Sequence, residues 1–360
     1  MTDTIIQSVS VRPLSAALNQ PFRIATGSHA RLENALVSVT LADGTSGHGE
    51  AAPAPHITGE TLAATLNALR KMAARLAGRS CADYWRLAHE LREEFPLNHA
   101  ASTAAEMAVL DALARHLEMP LRDFFGPGRT NPVIDMTVVI GSVAEAGRSA
   151  AAIYRRGIRA FKIKVGCDFD EDINRVLAVH KAGRGSPVYL DANEGFDAGQ
   201  SLAFLAALKK HGVVPAFVEQ PVRRGDWEGL AKVTRYAGGI GCCVGTDETV
   251  QNPDDAARVI RTKAAHAINL KTMKFGLLGS MELARLAQAA GLKLMIGGMM
   301  ESALSMTASA QLASGVGGFS FFDLDTPLFI KDRVMAGCTL ASCGVYRLEK
   351  IKAGIGVTPA

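Results

Sequence analysis

The amino-acid sequence predicts an α/β barrel attached to a smaller α+β unit. The chain has 360 residues, more than the ~250 that one such barrel uses. From residue 133 onward, eight short apolar runs alternate with helix-length segments, as in repeated βα units. Residues near the ends of the second to eighth runs follow one another at intervals of 27, 28, 28, 24, 26 and 26 residues. So regular a spacing favours a closed barrel over an open, doubly wound sheet.

The region before the barrel has a different pattern. Alternating apolar residues over 5–11 and 35–41 predict strands of an antiparallel meander. Helices are then predicted at 61–76, 81–95 and 100–118, the last with apolar residues at helical spacing. We therefore expect an N-terminal α+β unit over residues 1–131.

The barrel itself is predicted over residues 132–325. No long amphipathic helix follows the eighth apolar run, so its strand should lack a helix of its own. We expect residues 326–360 to return to the N-terminal unit, so that both ends of the chain build one capping domain.

Composition argues against several classes of protein. The chain is 48% hydrophobic, and its 39 basic and 35 acidic residues give a net charge of only +4, without basic clusters. This balance gives no electrostatic reason to expect nucleic-acid or membrane binding. The six cysteines form no CxxC pair, and we find neither a signal peptide nor an apolar run of about 18 residues. We therefore expect a cytoplasmic protein.

Three carboxylates lie at the ends of three successive strands of the predicted barrel, where barrel enzymes have their active sites. They are Asp191, Glu219 and Asp247. Carboxylates brought together in this way repel one another unless a cation lies between them, and hard oxygen ligands suit Mg²⁺. Asn193 and Glu248 follow closely in the sequence and are expected to support these ligands.

Lysines occupy two further strand ends. Lys162 and Lys164 alternate onto one face of the second strand, and Lys271 ends the sixth strand, on the opposite wall. A nearby divalent cation and a second ammonium lower a lysine pKa, so we expect Lys164 and Lys271 to act as general bases. Two bases on opposite faces suit inversion at an α-carbon, with Lys162 stabilising the enediolate. A Schiff base at Lys271 is the alternative, but it needs no such metal site.

These residues form motifs in a fixed order: KxK at 162–164, DAN at 191–193, EQP at 219–221, DE at 247–248 and NxK at 269–271. In this combination the chain resembles the enolase superfamily, and within it the muconate-lactonizing-enzyme subgroup. The resemblance covers essentially the whole chain. It implies a modified TIM barrel, (β/α)7β, with a capping domain, a Mg²⁺ cofactor, the Lys164–Lys271 acid/base pair and a homo-oligomer. It also implies a supporting role for Asn269.

The eighth strand carries a finer signal. Asp323 and Asp325 point to the same side and would bind a cationic group. This pair resembles that of dipeptide epimerases, in which it holds the α-ammonium of the dipeptide. The function implied is Mg²⁺-dependent inversion of the C-terminal residue of an L-Ala-X-type dipeptide by 1,1-proton transfer. A turn or capping role is the alternative for Asp325.

Other functions stay open at this stage. One is another reaction of the same subgroup: o-succinylbenzoate synthesis, racemisation of N-succinylamino acids or cycloisomerisation. Another is a metal-binding barrel that serves assembly rather than catalysis.

The residues that would set specificity show one departure from this pattern. Arg23 is a candidate for substrate binding, but it lies closer to the strand than the capping-loop arginine of family members that act on L-Ala-D/L-Glu, whose position is Gly27 in this chain. Together with Met299 and Met300, this favours an apolar or larger second residue in the dipeptide. Thr137 and Glu301 are further candidates for substrate binding, although the segment around Glu301 could equally form a simple strand-to-helix turn.

Overall fold

The computed structural model describes residues 3–24, 27–337 and 339–360, without the side chains of residues 23, 24 and 27–29. These residues form an antiparallel three-stranded sheet with its helices and a parallel eight-stranded sheet with seven further helices. No helix in the described ranges is both long enough and apolar enough to cross a bilayer.

The N-terminal sheet consists of β1 (Ile6–Ile24), β2 (Gly27–Leu41) and β3 (Ser46–Ala51), each antiparallel to the next. The first two strands are much longer than the sequence predicted. Leu14, Ala16 and Leu18 are buried and continue the alternation of β1 toward the barrel mouth. Ala17 lies on the opposite face of β1. Because it is also apolar, residues 16–18 form a continuous apolar run that hides the alternation in the sequence. Three helices follow, at α1 (Leu62–Leu76), α2 (Tyr84–Glu94) and α3 (His99–His116), close to the predicted positions.

Eight parallel strands build the barrel, in the order of the sequence. They are β4 (Met136–Val138), β5 (Phe161–Lys164), β6 (Val188–Asp191), β7 (Phe217–Glu219), β8 (Cys243–Thr246), β9 (Ala267–Lys271), β10 (Lys293–Gly297) and β11 (Phe319–Phe322). A hydrogen bond of 3.1 Å from the backbone N–H of Asp135 to the carbonyl of Phe322 joins the first strand to the last. The sheet is thus a closed barrel, as predicted.

Seven helices alternate with these strands. They are α4 (Val143–Arg155), α5 (Phe169–Ala182), α6 (Ala198–Lys210), α7 (Trp227–Gly239), α8 (Pro253–Thr262), α9 (Thr272–Ala289) and α10 (Ala303–Val316). Beyond β11 the described residues contain only short 3-10 turns and two short paired strands, β12 (Met335–Ala336) and β13 (Thr358–Pro359). The backbone N–H of Ile355 donates to Asp111 on α3, 2.6 Å away. The C-terminal segment therefore contacts the N-terminal unit, while the exact boundaries at 131 and 325 stay a prediction.

Helix α3 fixes the N-terminal unit against the barrel. It is buried along almost its whole length, because β3 packs on one side and α9 on the other. A glycine is required where β3 crosses the helix, since a Cβ at Gly49 would lie 1.9 Å from the carbonyl oxygen of Ala104. The Thr103 hydroxyl donates to the carbonyl of Thr272 at the start of α9, 2.9 Å away.

An apolar floor fills the barrel beneath the strand ends. Tyr189, Phe217 and Phe321 pack edge-on or tilted, and the ring centroids of the last two are 4.4 Å apart. Gly245 makes room for this cluster, because a Cβ there would lie 2.2 Å from the Phe217 ring. Side chains alternate along each strand, so the inward residues two positions further on lie one layer above this floor. In several strands those residues are the charged ones.

Candidate active site

A cavity of about 280 Å³ opens above this floor, at the C-terminal ends of the barrel strands. The hairpin of β1 and β2 and the segment after β3 cover it from the N-terminal unit. Nine residues predicted for the site line this one cavity: Thr137, Lys162, Lys164, Asn193, Lys271, Met299, Met300, Asp323 and Asp325. The prediction for Arg23 concerns a side chain outside the described residues.

Lys162 lies among three carboxylates. Its Nζ is 2.5 Å from Asp323 Oδ2, 2.7 Å from Glu219 Oε2 and 3.1 Å from Asp191 Oδ2. Burial acts to lower the pKa of Lys162, but these carboxylates more than offset it and hold the pKa well above its usual range. The surrounding carboxylates therefore favour the charged form of Lys162.

Lys164 and Lys271 face the cavity from opposite walls, because their strands β5 and β9 are four positions apart in the eight-stranded order. Lys164 Nζ donates to Asp191 Oδ2 at 2.6 Å and to Asn193 Oδ1 at 3.1 Å. Lys271 Nζ is 2.7 Å from Asp247 Oδ2. Burial favours a lower pKa for Lys271, yet Asp247 and Glu219 raise it above the usual value. Around Lys271 the protein's own groups thus act against the lowered pKa that the sequence predicted.

The three predicted metal ligands are buried at the ends of consecutive strands. Among the residues that the structure describes, no three carboxylate, imidazole or thiolate side chains lie close enough to hold one ion directly. Lys162 lies between Asp191 and Glu219, and Lys271 lies against Asp247.

The donor set nevertheless fits a hard divalent cation. Glu219 Oε2, Asp247 Oδ2 and Glu248 Oε2 are buried and accept no hydrogen bond from the described residues. Lysine ammonium groups contact the first two only as ion pairs, at 2.7 Å in each case. Burial and the Asp191 charge raise the pKa of Glu219 to about 7, while burial and the Asp247 charge raise the pKa of Glu248 to about 8. Oxygens in such surroundings gain most from a divalent cation.

The residues predicted to support these ligands lie against them. Asn269 Nδ2 donates to Glu219 Oε1 at 2.5 Å. The backbone N–H of Asn193 donates to Asp191 Oδ1 at 3.1 Å, and its Nδ2 donates to Glu248 Oε1 at 3.3 Å. In each of these carboxylates, a hydrogen bond holds one oxygen and thereby orients the second oxygen of the same group.

The eighth strand brings its two aspartates to the cavity in different surroundings. Asp323 pairs with Lys162, as described above, and retains 12% of its side-chain exposure. Asp325 is almost fully buried, and its Oδ2 accepts a hydrogen bond of 2.6 Å from the backbone N–H of Thr137. Burial and the Asp323 charge raise the pKa of Asp325 to about 7.

Glu301 does not reach the cavity. Its carboxylate is buried and accepts hydrogen bonds from the backbone N–H of Met299, at 2.6 Å, and from the Ser305 hydroxyl. Glu301 therefore shapes the segment after the seventh strand and is not among the residues that line the cavity.

The N-terminal unit holds this same segment from the other side. Asn34 Nδ2 donates to the carbonyl of Met300 at 2.9 Å and to Glu50 Oε1 at 2.6 Å. Glu50 in turn accepts a hydrogen bond of 2.8 Å from the backbone N–H of Ser302. Nothing local in the sequence marks Asn34 and Glu50 for this role, since the segment that they contact lies about 250 residues further along the chain.

Three further residues of the site were missed in the sequence. Gln220 Oε1 accepts hydrogen bonds from the backbone N–H groups of Asp247 and Thr249, both at 3.0 Å. Lys274 Nζ donates hydrogen bonds to the backbone carbonyl and to Oδ1 of Asp247. Asp135 is buried, and neither of its carboxylate oxygens accepts a hydrogen bond from the described residues. Its alternation with Thr137 along the first strand was the one available signal.

Comparisons with known proteins agree with this geometry. Residues 6–126 match the family model described as "Mandelate racemase / muconate lactonizing enzyme, N-terminal domain". Residues 145–360 match the model described as "Enolase C-terminal domain-like".

Two curated relatives align over almost their whole length. The "Hydrophobic dipeptide epimerase" of Citrifermentans bemidjiense is 44% identical over 359 residues, covering 98% of each chain. The "Aromatic dipeptide epimerase" of Herpetosiphon aurantiacus is 42% identical over 358 residues, covering 99% of each.

Solved structures share the same architecture. A mandelate racemase/muconate lactonizing protein from Herpetosiphon aurantiacus superimposes with a TM-score of 0.95 at 42% identity, over 100% of both chains. A dipeptide epimerase from Enterococcus faecalis, complexed with Mg and L-Leu-L-Tyr, superimposes with a TM-score of 0.93 at 28% identity, over 98% of this chain and 99% of that one. The resemblance predicted from the sequence is thus confirmed, and the chain belongs to the enolase superfamily, with the N-terminal domain of its mandelate racemase/muconate lactonizing branch.

Proposed function

We propose that this protein is a Mg²⁺-dependent dipeptide epimerase that inverts the α-carbon of the C-terminal residue. One observation carries the proposal: Lys164 and Lys271 enter a single cavity from opposite walls, with the carboxylates of Asp323 and Asp325 in the same cavity. Inversion needs a proton donor and a proton acceptor on opposite faces of one carbon, and a dipeptide carries an ammonium for the two aspartates.

Asp191, Glu219 and Asp247 would hold the Mg²⁺ ion, since each offers a buried carboxylate from a neighbouring strand end. When bound, the cation supplies positive charge that stabilises the developing negative charge on the substrate carboxyl group and favours the neutral form of a nearby lysine.

The proton transfers fall to the two opposed lysines. The neutral amine of one lysine accepts the α-proton, and the electron pair of the broken C–H bond moves toward the carboxyl group. The ammonium of the other lysine then donates a proton to the opposite face, which gives the inverted configuration. Lys162, whose carboxylate neighbours favour its charged form, stabilises the negative charge on the substrate oxygens.

The substrate's second residue is proposed to be apolar. Phe22, Ile57, Leu62, Met299 and Met300 line the part of the cavity between the N-terminal unit and the seventh strand. The position where L-Ala-D/L-Glu epimerases have arginine is Gly27 here. Two relatives with 42–44% identity have names that specify hydrophobic or aromatic dipeptides, which supports this proposal.

Deuterium incorporation tests the proposal directly. With Mg²⁺ in ²H₂O, L-Ala-L-Phe should exchange the α-proton of its C-terminal residue and accumulate L-Ala-D-Phe, as followed by ¹H NMR and mass spectrometry. The N-acetylated dipeptide is the matched control and should react far more slowly, because it lacks the ammonium that Asp323 and Asp325 would bind. Absence of exchange across a broad L-Ala-X library would overturn the proposal.

The alternatives make different predictions. A synthase or a racemase of N-succinylamino acids handles an acylated substrate, so Asp325→Asn, which can keep the hydrogen bond from the backbone N–H of Thr137, should hardly affect it. A dipeptide epimerase should lose most of its activity in this variant. A metal-binding barrel without catalysis predicts that Lys164→Ala leaves its role intact.

A further inference from the structure

A second lysine, three residues beyond Lys271, lies behind the proposed metal site. Lys274 is on the first turn of α9, is only 4% exposed and does not line the cavity. Its Nζ donates to the carbonyl of Asp247 at 2.7 Å, to Asp247 Oδ1 at 3.1 Å and to the carbonyl of Val250 at 2.9 Å. All three ammonium protons are thus used, and two of them hold Asp247.

These contacts fix both the backbone and the carboxylate of Asp247. Gln220 Oε1 accepts from its backbone N–H at 3.0 Å, and Lys274 binds its carbonyl and Oδ1. Only Oδ2 is left, and it lies 2.7 Å from the Nζ of Lys271, a residue that lines the cavity. Since a carboxylate has two oxygens, holding one from behind determines where the other points.

A lysine suits this position for a chemical reason. The three acceptors lie around one point, and a compact ammonium offers three donors and no acceptor. A glutamine has only two donors, and a methionine has none, so either would leave buried acceptors unpaired. Burying an ammonium is costly unless a carboxylate is adjacent, and Asp247 meets that requirement.

The N-terminal unit holds the segment that carries Lys274. Just beyond this lysine, α9 is interrupted at Gly276, which has a φ of 71°. Arg92 donates to the carbonyl of Phe275 and pairs with Glu106, whose Oε1 accepts from the backbone N–H of Leu278 at 2.7 Å. A side chain at position 276 would collide with Arg92. The start of α9 is therefore clamped on both sides of its kink.

We infer that Lys274 is a positioning residue for the metal site: it holds Asp247 so that Oδ2 faces the barrel axis, and the N-terminal unit holds Lys274. This inference concerns the metal site on which the proposed function rests. It requires Mg²⁺ binding but makes no assumption about the substrate.

Calorimetric titration of the full-length protein with MgCl₂, without any dipeptide, tests the inference. Lys274→Met should weaken Mg²⁺ binding by about 10- to 100-fold, the range typical of residues that orient metal ligands. Lys232→Met is the matched control, because Lys232 is exposed on α7, and it should bind Mg²⁺ like the wild type. Circular dichroism establishes that each variant is folded.

A second variant guards against misfolding of the first. Lys274→Gln retains two donors and should fold, yet it leaves one of the three acceptors unpaired, holds Asp247 less firmly and should also bind Mg²⁺ more weakly. Activity gives an independent readout: saturating Mg²⁺ should restore most of the exchange rate in either variant, because Lys164 and Lys271 are intact.

The inference and the proposed function fail in different ways. Mg²⁺ affinity within twofold of the wild type in a folded Lys274 variant would overturn the inference, as would a wild-type protein that does not bind Mg²⁺. A wild-type protein that binds Mg²⁺ but exchanges no dipeptide proton would overturn the proposed function alone.

Discussion

The carboxylate of Asp325 accepts a hydrogen bond of 2.6 Å from the backbone N–H of Thr137, which links the segment after the eighth barrel strand to the first strand. Both residues also line the cavity. A residue proposed to bind substrate therefore also helps to close the barrel, and its substitution should have a structural consequence that can be separated from the catalytic one.

Stability should distinguish two substitutions of Asp325. Asp325→Ala leaves the buried N–H of Thr137 without an acceptor, whereas the Oδ1 of an asparagine can still accept from it. We expect the alanine variant to be less stable than the asparagine variant by about 1–3 kcal/mol. Urea unfolding followed by circular dichroism measures this difference. Equal stability of the two variants would mean that the bond contributes nothing to barrel closure.

Each of the two lysines proposed as acid/base groups should serve one configuration of the substrate. Removal of either amine in Lys164→Ala or Lys271→Ala should slow epimerisation by about 10²–10⁴-fold, because one face of the α-carbon loses its acid/base group. The remaining lysine should still exchange the α-proton of one epimer. ¹H NMR in ²H₂O, with L-Ala-L-Phe and L-Ala-D-Phe in separate samples, measures both rates. If both variants exchanged the same epimer, the opposed-base arrangement would be wrong.

Glu301 should make stability depend on pH. Burial raises its pKa from 4.5 to about 7 in the folded protein. The folded state then binds more protons than the unfolded state in this window, so the contribution of Glu301 to stability is full below pH 4.5 and falls as the pH rises to about 7. The total loss is on the order of 3 kcal/mol.

Glu301→Gln tests this dependence, because glutamine cannot ionise, its Oε1 can still accept from the backbone N–H of Met299, and its Nε2 can donate to the Ser305 hydroxyl. The free energy of unfolding is measured by urea titration between pH 5 and 8. Its value for this variant should increase relative to that of the wild type as the pH rises. Glu93→Gln, at an exposed position on α2, is the control and should run parallel to the wild type. Parallel curves for Glu301→Gln would show that Glu301 does not titrate in this range.

The apolar wall should set the preference for the second residue. Met300 lines the cavity, and Asn34 holds its carbonyl, so Met300→Ala removes side-chain contact without freeing the backbone. We expect kcat/KM for L-Ala-L-Phe to fall about 10-fold relative to that for L-Ala-L-Ala. Met300→Leu preserves the apolar volume and should keep the wild-type ratio. An unchanged ratio in Met300→Ala would place the second side chain elsewhere in the cavity.

Much of the site was predictable because parallel strands share one end. Lys164, Asp191, Glu219 and Lys271 each end an apolar strand, and regular βα spacing brings such ends to a single rim. Lys162 lies two residues before Lys164 and therefore on the same face of its strand. The same logic could have indicated Asp135, two residues before Thr137 and hence on the same face of the first strand. Asp135 belongs to none of the motifs in the sequence, so no local pattern singles it out.

The sequence by itself determined the barrel, the order of its strands and the charged residues at its mouth, because local periodicity and strand-end position encode all three. Only the tertiary structure decided how those residues are held. Lys274 and Gln220 orient Asp247, and Asn34 and Glu50 fix the segment that carries Met300. The raised pKa of Lys271 also depends on which carboxylates surround it. Such roles depend on contacts between segments distant in the chain, and a periodic pattern carries no information about which distant segments meet.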